Sequence, residues 1–316
     1  MKDIFSIGHL STIYHTSFIL MEDKKLVEDL NRTIEWVLFG TGPAMVKAFE
    51  KGQIDMGYMG LPPAIIGINK GVPIKCVAGG HVEGTIMIAS EKYNKIGEFD
   101  GDIAKCFSQF IGKNIGVPSR GSIHEVILTY FLKQYNLTNN INIKHYAQPE
   151  FIALDMKKQI LDAAIGTPAL AVFAQTLLPS HIIIPAKYLW PNNPSYGIFF
   201  HKSLIKSHPE IIITFLKHHK KASKLLRTSK SVAAEIISRN FGILSKPYVE
   251  SVLNISPKYC IALTENYLKA TMQFVNKLYE LGYISELLDI EHIFEFSFLE
   301  KVHPEENHYI KKKNLT

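Results

Sequence analysis

Gly40-Thr41-Gly42 stands between a β-rich run and Pro43, which suits the first turn of a helix. Glycine lets the backbone approach a ligand closely. The first N–H groups of a helix have no partner within it. Together with the helix dipole they form an anion site, and the Thr41 hydroxyl adds a donor. Ser119, Arg120, Gly121 and Ser122 repeat this design ahead of a second helix that begins at Ile123. The planar fork of arginine suits carboxylate, sulfonate, nitrate or phosphate. Arg120 is scarce material, because the other arginines are only Arg32, Arg227 and Arg239. Plainer readings exist for each feature. The first is a tight strand-to-helix turn, Ser122 is an N-cap, and Arg120 is exposed in a surface turn.

Further polar residues fall at turns. His9, Ser11, Thr12 and His15 cluster after the first β-rich run, Gly60 closes the third, and His81, Glu83 and Thr85 follow the fourth. His124 lies in the first helical turn after Ser122, and Gly166-Thr167-Pro168 makes another turn. Glu83 suits an amino or amide group, which disfavours a purely anionic ligand. Tyr196 can stack on a planar ligand, and Trp190 also fits a heteroaromatic. A lone histidine is more often structural. His9, His15, His81 and His124 lack the i, i+4 spacing of helical metal ligands, so no metal is expected. No cofactor is expected either. No Ser-His-Asp set or carboxylate pair is evident, so no catalytic residue is assigned.

These turns need elements to hold them. β-rich runs at 4–8, 33–39, 54–59 and 74–78 alternate with helical patterns at 14–23, 43–51 and 62–71. Such alternation implies βαβ units and a mostly parallel sheet, whose ligands lie beyond the carboxyl ends of the strands. The pattern restarts with strands at 115–118, 141–146, 161–166 and 181–185, separated by helices at 123–135, 150–158 and 169–178. A last strand covers 196–200. Helices then follow at 208–226, 231–240, 247–253, 265–281 and 284–289, and the Lys-rich segment 305–316 reads as disordered.

The chain has 316 residues, enough for two lobes. A net charge of +6 is spread out, apart from clusters at 217–224 and 311–313, so no nucleic-acid stripe is formed. Cys76, Cys106 and Cys260 form no CxxC pair and read as small buried hydrophobes. No run of 18 apolar residues suggests a membrane span. The opening residues already read as a strand rather than a secretion signal. An extracytoplasmic site is expected if a signal was removed, and a cytoplasmic one if Met1 is the native start.

Residues 40–57, running from Gly40-Thr41-Gly42-Pro43 to Ile54-Asp55-Met56-Gly57, continue through Gly60-Leu61-Pro62-Pro63 to Gly71-Val72-Pro73-Ile74. This resembles the solute-binding proteins of nitrate, alkanesulfonate, taurine and thiamine-pyrimidine importers. Gly112-Lys113-Asn114-Ile115-Gly116-Val117-Pro118 with Gly121-Ser122, and Leu161-Asp162-Ala163-Ala164 with Gly166-Thr167-Pro168, extend the likeness over roughly residues 4–200. Tyr14-His15 resembles the family's usual ligand position. The resemblance implies an α/β, two-lobe type II periplasmic-binding-protein fold with a hinge and C-terminal helices. Lobe 1 would be 1–89 completed by 196–316, and lobe 2 would be 90–195, with crossings near 88–91 and 194–197. It also implies a small-molecule ligand, closure of the lobes, and ABC permease subunits as partners. A thiamine-pyrimidine synthase on the same fold is the alternative, although its cysteine-rich iron motif is missing here. An intracellular ligand sensor is a third reading.

Overall fold

The computed structural model describes residues 4–242, 244–255 and 258–309. Residues 310–316, most of the segment expected to be disordered, lie outside them, as does the 311–313 lysine cluster. Residues 305–309 are described, and Tyr309 is buried.

The described strands are β1 (Ile4–Leu10), β2 (Thr33–Phe39), β3 (Met56–Met59), β4 (Ile74–Val82), β5 (Ile86–Ser90), β6 (Asn114–Pro118), β7 (Asn142–Tyr146), β8 (Ala163–Gly166), β9 (Ser180–Ile184) and β10 (Pro194–His201). They form two five-stranded sheets, ordered β2-β1-β3-β10-β4 and β7-β6-β8-β5-β9. The two orders follow one plan. In each sheet the fourth strand is the one that has just arrived from the other sheet. β10 enters antiparallel between β3 and β4, and β5 enters antiparallel between β8 and β9. The remaining pairs, β1 with β2 and β3, and β6 with β7 and β8, are parallel. Both sheets are therefore mixed rather than mostly parallel. The chain passes between them at Glu83–Thr85 and again between β9 and β10. Ile88, expected at a crossing, is inside β5.

The inserted strands are buried on both faces, which is why they read as continuous apolar runs. Ile198, Phe199 and Phe200 of β10 are fully buried, as are Met87 and Ala89 of β5. The C-terminal helices Pro209–Thr228, Lys230–Phe241 and Lys246–Ile255 bury Phe215, Ile237 and Val252 in one core with β1 and β10.

Two helical expectations change. Within 14–23 only Ser17–Leu20 is helical. The Asp23 side chain then accepts the Leu26 N–H at 3.3 Å and caps a separate helix, Lys24–Leu30. The helix expected at 284–289 is absent. Gly282, at φ 76°, stops the preceding helix Glu265–Glu280. Asn69 then holds the chain by accepting the Ser285 N–H at 3.0 Å and donating to the Glu286 carbonyl at 3.1 Å. Short helices follow at Ile290–Ile293 and Ser297–Val302.

The pairing of β4 with β10 depends on a glycine. A Cβ at Gly80 would lie 1.8 Å from the Tyr196 ring, whereas one at Gly97 meets nothing within 4 Å. Gly80→Ala is expected to cost about 1–3 kcal/mol or more through overpacking. Gly97→Ala should stay within about 0.5 kcal/mol. Urea unfolding midpoints measure both, and equal midpoints would remove this account of the strand pair.

Candidate functional site

A cavity of about 440 Å³ lies where loops from both sheets meet. The first sheet contributes Leu10–His15 after β1, Gly40–Gly42 after β2 and Gly60 after β3. The second contributes Pro118 and Ser122–His124 after β6, Pro149 and Glu150 after β7, and Thr167 after β8. All these loops follow the carboxyl ends of strands, where α/β sheets bind ligands.

Four helices begin at this cavity. They are Gly42–Glu50, Leu61–Asn69, Ile123–Gln134 and Pro168–Leu177, and their N-caps Thr41, Gly60, Ser122 and Thr167 all line it. The second-sheet caps are already engaged. Ser122 Oγ accepts the Glu125 N–H at 3.3 Å, and Thr167 Oγ1 accepts the Leu170 N–H at 3.2 Å. On the first sheet, the Thr41 side chain makes no cap bond. Proline lacks an N–H, so Pro62 and Pro63 strip donors from the second helix and leave Leu61. Gly42 and Ala44 remain as first-turn donors beside the Thr41 hydroxyl.

Among the described residues, no lysine or arginine lines the cavity, and Glu150 is its one carboxylate. Ser11 Oγ donates to Glu150 Oε1 at 2.6 Å, which joins the loop after β1 to the helix after β7. The three lining histidines are neutral at pH 7. Burial lowers the pKa of His9 and takes that of His15 well below the usual value. Burial brings His124 down to about 4. His124 Nδ1 lies 3.0 Å from Thr85 Oγ1, and this bond orients the ring. His15 packs against Tyr196 with ring centroids 4.0 Å apart and planes tilted by 39°, and its buried Nδ1 has no partner among the described residues. Among the described residues, positive potential here comes from helix termini rather than side-chain cations. The rest of the wall is apolar, with Leu38, Phe173, Phe241, Leu244 and the ring of Tyr248.

The residues singled out from sequence divide into two groups. His9, Ser11, Thr12, His15, Gly40, Thr41, Gly42, Gly60, Ser122, His124 and Thr167 line one cavity. His81, Glu83, Ser119, Arg120, Gly121, Gly166 and Tyr196 do not. Arg120 is exposed and lies over the Tyr283 ring at 5.6 Å. Gly121, at φ 80°, gives its N–H to Glu125 Oε2 at 2.9 Å and serves the turn. Ser119 sits in that turn with its buried hydroxyl unpaired. Gly166 packs on Leu170. His81 and Tyr196 are stacked core rings behind the cavity wall. Glu83 pairs with Lys258 at 2.6 Å. Trp190 stacks on Phe274 at 4.2 Å, also in the core. The sequence reading missed Ser195, Glu150, Phe241, Leu244 and Tyr248. The last three come from the C-terminal helices and their connection, where no local motif marks them.

Two mixed sheets joined by paired crossings, with a cavity between them, define the two-lobe periplasmic-binding-protein fold. The chain belongs to the NMT1-like family, whose model matches residues 2–239. The taurine-binding periplasmic protein of Escherichia coli (strain K12) is 22% identical over 221 residues, spanning 66% of this chain and 63% of that protein, less than two thirds of its length. The ligand-binding component of an ABC-type import system from Staphylococcus aureus superposes with a TM-score of 0.79 at 17% identity, covering 96% of this chain and 99% of that one. The periplasmic aliphatic sulphonate binding protein of Escherichia coli gives 0.76 at 17% identity, covering 100% and 96%. The alkanesulfonate-binding protein of Xanthomonas axonopodis pv. citri, bound to MOPS, gives 0.77 at 16% identity, covering 92% and 98%. These relatives are binding proteins of transporters rather than enzymes.

Buried histidines make the fold acid-sensitive. His124 and His219 are brought to about 4 and His81 to about 3 by burial, against an ordinary value of 6.5. Below pH 6.5 the unfolded chain takes up these protons and the folded chain does not, so stability present above pH 6.5 is lost as pH falls towards 4. Each histidine contributes up to about 1.4 kcal/mol per pH unit in that window. Urea unfolding at pH 7.5, 6 and 5 should show falling midpoints. Equal midpoints would mean these rings are protonated in the folded chain.

Proposed function

We propose that this chain is the solute-binding protein of an ABC importer and takes a small ligand between two lobes. One observation carries the reading: four helices from two sheets begin at a single cavity whose other walls are apolar. Such a site binds and orients its ligand. The lobes on this reading are residues up to 85 together with 194 onwards, and residues 86–193. The partner is a permease, which puts the working chain outside the cytoplasm. No helix among the described residues is long and apolar enough to cross a membrane.

The cavity favours a ligand with an apolar or planar body and one small polar head. The head fits beside Thr41 Oγ1 and the Gly42 and Ala44 N–H groups, with His15 on the same side and His124 across the cavity. The body fits against Leu38, Phe173 and Phe241. Alkanesulfonates meet this description, as do neutral heteroaromatics such as a pyrimidine. A bare nitrate would leave most of the wall uncovered.

Melting temperature in the presence of nitrate, taurine, longer alkanesulfonates and the thiamine pyrimidine tests this. A ligand at 100 times its Kd adds about 2.7 kcal/mol, a shift of several degrees. Longer sulfonates or the pyrimidine should give that shift, and nitrate should not. Thr41→Val should weaken binding of the hit about tenfold, the loss of one charge-assisted or neutral hydrogen bond of about 1.5 kcal/mol. Arg120→Ala should leave it unchanged. Stabilisation by nitrate that disappears in Arg120→Ala would overturn this account of the site.

A further inference from the structure

A second cluster of chemistry lies away from the cavity. The segment 258–261 runs along β4. Val82 donates to the Lys258 carbonyl at 3.1 Å, Cys260 to the Gly80 carbonyl at 3.3 Å, and Gly79 to the Ile261 carbonyl at 2.8 Å. The C-terminal residues 303–309 fold over this segment. Tyr309 Oη donates to the carbonyls of Cys260 at 2.6 Å and Ala262 at 3.1 Å. Between the two segments Cys260 Sγ lies 3.2 Å from His303 Nε2 and 3.5 Å from His308 Nδ1. All three donor atoms lie within 4.8 Å of one another.

We propose that Cys260, His303 and His308 bind a zinc-class divalent ion, which clamps the C-terminal segment to the edge of β4. The chemistry of the donors supports this. One thiolate and two imidazoles suit zinc better than calcium or magnesium, which prefer oxygen. Zinc bonds of about 2.3 Å to sulfur and 2.0–2.1 Å to nitrogen, at a tetrahedral angle, separate sulfur from nitrogen by about 3.5 Å. The observed separations sit close to this without any movement of the backbone. The surroundings also fit. His303 is buried, and its Nδ1 has no well-aligned hydrogen-bond partner, but Glu305 Oε2 lies 3.4 Å away. A carboxylate behind a ligating imidazole is the usual support that fixes ring orientation. Lys220 pairs with Glu305 at 2.5 Å and holds that carboxylate in place. Binding replaces the thiol proton of Cys260, which leaves to solvent as the metal–sulfur bond forms. Three protein donors leave one coordination position for water.

The test uses the full chain, stripped with a chelator and titrated with cobalt(II), which reports thiolate ligation by a charge-transfer band in the near ultraviolet. One equivalent should produce the band, and zinc(II) should displace it. Cys260→Ser should abolish the band. His308 is only partly buried, so His308→Ala should fold, and it should weaken cobalt binding by more than tenfold. Glu305→Gln should weaken it about 10–100-fold. Circular dichroism confirms that each variant is folded. Cobalt binding without the band, binding that survives Cys260→Ser and His308→Ala unchanged, or no binding at one equivalent would each overturn the proposal.

Discussion

The two chain crossings are tied to each other, and the relative position of the two sheets rests on that tie. Glu83 stands at φ 62°, a turn conformation rare for a residue with a side chain. Its N–H donates to the Asn193 carbonyl at 2.8 Å, Oε1 accepts the Asn192 N–H at 3.2 Å, and Oε2 pairs with Lys258. The next residue, Gly84, donates to Ser195 Oγ at 2.5 Å, and a Cβ there would lie 2.6 Å from that oxygen. Thr85 then holds His124 on the far side. Three consecutive residues of the first crossing thus grip the second crossing, the C-terminal segment and the second sheet. Ser195 and His124 also line the cavity, so the joint and the site share atoms.

That arrangement decides which forces are available to a ligand. Helix termini contribute about 0.3–1 kcal/mol each towards an anion, rising to about 2 kcal/mol when partly buried. Each methylene removed from water contributes about 0.8 kcal/mol. Three or four methylenes against Leu38, Phe173 and Phe241 therefore match or exceed what one helix end supplies. A paired arginine would shift this balance towards compact anions, but Arg120 is turned outwards onto Tyr283. Neutral histidines reinforce the same weighting. They offer directional hydrogen bonds without the net charge that would favour a bare oxyanion.

Much of this was legible in the sequence because it is local. Gly40-Thr41-Gly42 and Pro43 state a strand end and a helix start within four residues, and the first three line the cavity. Ser122 and Thr167 announce their helices in the same way. What escaped depends on distant pairing. Ile86–Ser90 is too short and too uniformly apolar to distinguish a strand from a crossing. Only its insertion between β8 and β9 makes it a strand. Arg120 shares a turn with cavity residues, but the positive φ at Gly121 and the ring of Tyr283 decide where it points. Tyr248 and Phe241 reach the cavity from helices whose sequence shows only an amphipathic pattern, and Leu244 from the connection between them. His81 and Tyr196, each expected at the ligand, are partners in the β4–β10 ladder, and that ladder puts both rings behind the wall.

The uneven capping of the four helices gives the two sides of the cavity different roles. On the second sheet, Ser122 and Thr167 spend their own side chains on their helix termini, so those termini arrive already satisfied. On the first sheet, Thr41 keeps a free hydroxyl, and Gly60 has no side chain with which to cap. The unmet donors are therefore concentrated on the side that holds β1 to β4. A polar head finds its partners there before the second sheet is engaged. Leu170, Phe173 and the His124 ring come from the other side, and they gain value only when water is excluded between the two. Ser11 bonded to Glu150, and Gly40 packed against the Ala147 carbonyl, each join one side to the other. On the function proposed above, this division couples ligand capture to closure of the lobes. A ligand shifts the equilibrium only by what it gains in the closed form, and here that gain lies chiefly in its apolar body.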